Sequence, residues 1–164
     1  MSISIFRQRI TYAGLMVAVL LAGCTAPSAP PPAPKAEAPS CQAVAGEDAL
    51  VGNWLSVRKQ KGVAGELRTL FTLHADGTMA YTEQVKRGKQ PSQGLSETGC
   101  WEHAQNTLTL RTLQSNGAAV DPADPIYTNR YRIVSSTAQS LSLKNADGAS
   151  LSAKRMSPGY RLPF

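Results

Sequence analysis

The feature that narrows the fold most is a turn that occurs twice. His74-Ala75-Asp76-Gly77-Thr78 and Asn145-Ala146-Asp147-Gly148-Ala149 each set Asp-Gly between runs of alternating apolar residues. Gly accepts the positive φ that a tight hairpin requires, and a side-chain period of two makes the flanking runs one-sided. Phe71 and Leu73 alternate with Thr72, Leu108 and Leu110 with Thr109, and Leu141 and Leu143 with Ser142, while Tyr127, Tyr131 and Ile133 oppose Arg130 and Arg132. Helical period is almost absent, so strands are predicted over 50–58, 67–74, 78–86, 95–103, 107–113, 126–135, 140–144 and 150–155. About eight short strands with one wet face predict an all-β domain, an antiparallel up-and-down barrel, because closure removes the exposed edges.

That domain is expected over 46–164, behind two segments of other composition. Over 24–45, Pro27, Pro30, Pro31, Pro32, Pro34 and Pro39 alternate with Ala and Ser, which predicts a disordered linker that reaches up to about 3.1 Å per residue. Over 1–23, Arg7 and Arg9 precede an apolar run from 10 to 21. A membrane-spanning helix needs about 20 apolar residues, so this order predicts a signal peptide.

Leu21-Ala22-Gly23-Cys24 resembles the bacterial lipobox. The resemblance implies cleavage before Cys24, a diacylglycerol thioether on its sulfur and an acyl chain such as palmitate on its new amine. Two or three chains anchor a protein stably, so the membrane becomes its first partner. An Asp after the lipidated Cys commonly retains such proteins at the inner membrane; Thr25 stands here, which implies the outer membrane, facing the periplasm. With Cys24 taken by lipid, Cys41 and Cys100 remain, and an exported compartment lets them form a disulfide; two buried free thiols are the alternative.

Gly52-Asn53-Trp54 and Gly99-Cys100-Trp101 are two Gly-x-Trp elements, each entering a strand, and the first is followed by a strand ending in an Asp-Gly turn. Over 50–156 this resembles bacterial lipocalin-like domains of the calycin type. The resemblance implies that Trp54 and Trp101 close the barrel floor, as core plugs without ligand contact. The family's pattern also has an Arg near the last strand; Arg155 is the candidate here, outside the family's usual position.

In an up-and-down barrel alternate connections share one end. Residues 58–65, 87–94, 114–125 and 145–148 would form one rim, which collects Arg58, Lys59, Lys61, Lys86, Arg87 and Lys89 with Asp121 and Asp124. Loops around a mouth are where such folds bind, and the cations suit an anionic ligand or an acidic protein surface; solvated loop charges explain them equally well. The chain carries 17 basic and 11 acidic side chains without a basic run, so nucleic acid is not an expected partner. No Cys-x-x-Cys or paired-His spacing occurs, so no metal is expected. His74 and His103 complete no Ser-His-Asp pattern, so neither catalysis nor a cofactor beyond the lipid is expected. The expectation is a non-enzymatic binding module that takes an apolar or anionic small ligand, or an envelope partner, at the barrel mouth. The alternative is a solid barrel that acts as an assembly factor or hydrolase inhibitor. A cavity of about 300 Å³ or more among the loops would favour carriage.

Overall fold

The computed structural model describes residues 40–59, 61–62, 64–88 and 90–163. The expected signal peptide, most of the linker, Cys24 and Lys89 lie outside the described residues. The strands are β1 (Gly52–Arg58), β2 (Glu66–Leu73), β3 (Thr78–Arg87), β4 (Gln90–Ala104), β5 (Thr107–Ser115), β6 (Ala118–Ala119), β7 (Thr128–Ser136), β8 (Ser140–Asn145) and β9 (Ser150–Met156), with a 3₁₀ turn at Pro125–Tyr127 before β7. All pairings are antiparallel; eight strands run in chain order around a closed barrel, and β6 adds a short hairpin to β5. β9 returns to β1 through Asn53↔Met156, Trp54↔Arg155 and Leu55↔Lys154.

The alternation places one apolar set inside. Trp54, Phe71, Leu73, Met79, Trp101, Leu108, Leu110, Ile133, Leu141, Leu143, Leu151 and Ala153 form the core with Leu50, and Tyr81 and Tyr131 pack against it. Both Asp-Gly turns close as expected, with Gly77 at φ 81° and Gly148 at φ 81°. In the first, Asp76 accepts hydrogen bonds from the Thr78 amide and hydroxyl at 2.9 and 2.6 Å, and these hold its carboxyl below the usual range.

Two elements depart from the sequence pattern. β4 starts at Gln90 rather than 95, so 90–94, expected as loop, is strand paired with β3 from Arg87↔Gln90 onward. Pro91 and Gly94 read as loop, but Pro91 pairs with Lys86 of β3, and β4 meets β5 only from Glu97 onward. The missing N–H therefore falls where no second neighbour needs it. Gly94 is the extra residue of a bulge opposite Glu83/Gln84, and a Cβ there would crowd the Glu83 carbonyl at 2.6 Å. β6 was not expected, because two residues carry no period.

The segment before β1 is bound to the barrel. Cys41 and Cys100 form a disulfide across 59 positions. The Val44 amide donates to Ala75 O at 3.1 Å, and Val44 packs on the core. The described residues form one compact unit with its own core and crosslink, which is what independent folding requires.

Candidate functional site

The end of the barrel where β1 begins is a floor. Trp54 is fully buried and its indole N–H donates to Leu50 O at 2.8 Å; Trp101 donates to His74 O at 2.8 Å. Arg155 reaches across from β9, its guanidinium carbon 4.0 Å from the Trp54 ring centre. Its Nε donates to Ala138 O at 2.7 Å, Nη1 to Val51 O at 2.7 Å and Nη2 to Ala49 O at 2.6 Å. Arg155 thus ties the entering segment, the β7–β8 turn and the floor Trp together through charge-assisted bonds and a cation–π contact. Both glycines of the Gly-x-Trp pairs have steric reasons: a Cβ at Gly52 would lie 2.5 Å from Arg155 Nη1, and one at Gly99 would run into the Arg111 carbonyl.

Toward the other end, the mouth, the interior turns polar. Arg58 donates to Thr69 Oγ1 at 3.2 Å and sits 3.7 Å from Glu83 Oε2. The same carboxylate oxygen accepts from Tyr81 OH at 2.8 Å and from Thr69 Oγ1 at 3.3 Å. Tyr81 and Tyr131 stand edge-on to Phe71, with ring centres at 5.3 and 6.0 Å. Burial, followed by the Glu83 charge, raises both phenols above their ordinary range, Tyr81 far above it, so Tyr81 remains a protonated donor to Glu83. Glu83, with three partners on one oxygen, is a structural acceptor rather than a free base.

Glu97 faces Tyr81 across the β3–β4 pairing and accepts from Thr112 Oγ1 at 3.2 Å. Burial raises its carboxyl above the ordinary 4.5; the Thr112 bond opposes this and the Glu83 charge adds to it. A carboxyl raised in the folded state binds its proton more tightly there than in the unfolded chain. Stability therefore falls as pH rises through the window from 4.5 to that raised value, and the loss is fully present above it. Glu97→Gln should leave the urea midpoint unchanged below pH about 4 and raise it at pH about 7. Equal midpoint shifts at both pH values would contradict this.

Two of the expected rim cations are engaged within the fold. Arg58 is held inside by Glu83 and Thr69, Arg87 Nε donates to Ala64 O at 3.2 Å, and Lys86 stands opposite Glu66 in the β2–β3 pairing. Lys59 and Lys61 are exposed in the β1–β2 connection, and Lys89 lies outside the described residues. Asp121 and Asp124 cap their own loop, accepting from the Ala123 and Ile126 amides at 2.9 and 3.0 Å. Among the described residues no group of three His, Cys, Asp or Glu side chains is placed to hold a metal ion.

A further space lies outside the barrel wall. Residues 157–162 follow β9 along the outer face of β1–β3, fixed by Asn53 Nδ2 donating to Ser157 O at 2.9 Å and by Leu162, 2 % exposed. Between this segment and the sheet is a cleft of about 640 Å³, whose lining includes Leu70, Thr72, Ala80, Tyr160, Arg161 and Leu162. Leu70 pairs with Leu55 and Thr82, so it belongs to the face opposite Phe71, yet it is 4 % exposed. The sequence gives weak signals for this cleft: an apolar residue on the outer face of β2 and a lone Leu162 in a polar tail. Glu83 carried a clearer one, as a carboxylate at an inward position of an alternating strand. No protein-family model matches the chain, and no curated protein matches it.

Proposed function

We propose that this chain is an envelope lipoprotein, anchored by lipid on Cys24, whose lipocalin-like barrel is a non-enzymatic binding module with its ligand site in the cleft beneath residues 157–162. One observation carries this reading: the floor half of the interior is filled by Trp54, Phe71, Trp101 and the leucines, whereas a cleft of about 640 Å³ lies outside. That volume falls within the range of about 300–1,000 Å³ that suits small molecules. Leu70 and Leu162 offer an apolar bed, and His74, Tyr160 and Arg161 offer polar groups along its lining. The ligand class is therefore a small molecule with an apolar body and a polar or anionic end. The mouth offers less, since Arg58 and Arg87 are bonded within the fold.

The test is native mass spectrometry of residues 38–164 purified from envelope extract. A reproducible small-molecule adduct is expected, and Ala80→Trp, which fills the cleft from the outer face, should abolish it with the melting temperature changed by only about 2 °C. An adduct that persists in the variant would place the ligand elsewhere. The filled floor half also favours a second reading, a protein-interaction barrel, for which a co-purifying protein in place of a small adduct is the expected result.

A further inference from the structure

The barrel's charges are divided unevenly around its circumference. Residues 128–162 hold six basic side chains and one acidic one, Asp147, while the rest of the domain from residue 40 holds eight basic and nine acidic. The domain's whole positive excess therefore lies on β7–β9 and the segment after them. On β2–β5 several cations meet carboxylates: Arg68 reaches Glu66 at 3.3 Å and Arg111 reaches Glu102 at 3.2 Å. On the outer face of β7–β9, Arg130, Arg132, Lys144 and Lys154 pair with no acid among the described residues.

The register makes the arrangement costly to the fold. Arg132 stands directly opposite Lys144, on the face away from Ile133 and Leu143. Like charges at directly opposed positions repel, so this pair opposes folding where an opposite charge would assist it. Between the cations the face carries small groups, Ser135 opposite Ser142 and Ser142 opposite Ser152, so the cations stand clear of their neighbours. Val134, displaced at the β7 irregularity, projects an apolar side chain that is 54 % exposed.

We infer that this face docks the domain on an anionic phospholipid bilayer, with Arg130, Arg132, Lys144 and Lys154 against lipid phosphates and Val134 at the acyl boundary. Four cations free of acids, on an open sheet face, complement an extended anionic plane better than a single small anion, which two of them would satisfy. An exposed aliphatic group among them fits an interface where phosphate and hydrocarbon meet, and a purely aqueous polyanion offers it nothing. Each cation near such a surface strengthens binding about five-fold, and added salt screens the effect. The surface is independent of the cleft and of lipid on Cys24.

The test uses residues 38–164 without lipid, in sedimentation with vesicles of phosphatidylglycerol or of phosphatidylcholine. Binding to the phosphatidylglycerol vesicles is expected, with little to the phosphatidylcholine vesicles. Arg132→Gln/Lys144→Gln should weaken it about 20- to 30-fold while the melting temperature stays level or rises, since the repulsive pair is gone. Lys59→Gln/Lys61→Gln, on the β1–β2 connection, should change it less than about two-fold. Equal binding to both vesicles, equal loss in both double variants, or capture by dextran sulfate with none by vesicles would overturn the inference.

Discussion

Trp54→Ala is expected to destabilise the domain by about 3–5 kcal/mol, enough to lower the melting temperature by roughly 10 °C or more. The indole is fully buried, and its removal opens a cavity in the floor that the closed sheet has little freedom to collapse around. Two further losses follow. Leu50 O loses its donor, and the Arg155 guanidinium loses the ring 4.0 Å beneath it. Trp54→Phe should cost less, because it retains an aromatic face for Arg155 while giving up the N–H bond to Leu50. Thermal and urea unfolding of the three proteins check the order: wild type, then Trp54→Phe, then Trp54→Ala. An alanine variant that melts within about 2 °C of wild type would show that the floor is not a packed element of the fold.

The second large effect is expected from the crosslink. Cys41→Ser/Cys100→Ser should cost about 2–5 kcal/mol, since joining residues 59 apart in sequence removes many conformations from the unfolded chain. A local effect accompanies the global one. The disulfide holds the segment that donates from Val44 N to Ala75 O and passes over Gly77, where a Cβ would strike the Gln42 carbonyl. Without the bond this segment should open on its own, so the Val44 amide should exchange with solvent faster than the β2 and β3 amides. Reduction of the wild-type protein should reproduce both effects. Unchanged Val44 exchange in the double variant would mean that packing alone holds the segment.

The barrel was legible because its determinants are local. Side-chain alternation and the two Asp-Gly turns fix strand, face and connection within a few residues of each other, and seven of the strands require no more than that. The start of β4 was illegible for the opposite reason. Whether Pro91 and Gly94 break a strand depends on which neighbours lie beside it, and β5 is too short to reach them. The rim cations show the same limit: Arg58 and Lys59 are adjacent in sequence, but strand parity turns Arg58 inward to Glu83 and leaves Lys59 in solvent. The cleft depends on where residues 157–162 lie against β1–β3, and no period in a polar tail encodes that. Arg155 marks an intermediate case. The sequence singled out Arg155 only as a candidate near the last strand, and only the Trp54↔Arg155 register shows that it lies over the Trp54 ring.

That register pair belongs to the shortest ladder of the barrel, three residue pairs between β1 and β9. In kinetic terms the sheet is a ribbon whose two ends meet last, because β1 can join β2 early but must wait for β9 across about 100 residues of intervening chain. Three pairs are a weak closure by themselves. Arg155 acts as its latch: a one-residue slip would carry the guanidinium off the Trp54 ring and away from the Ala49, Val51 and Ala138 carbonyls together. The side chain that seals the floor therefore also selects the register in which the ribbon becomes a tube.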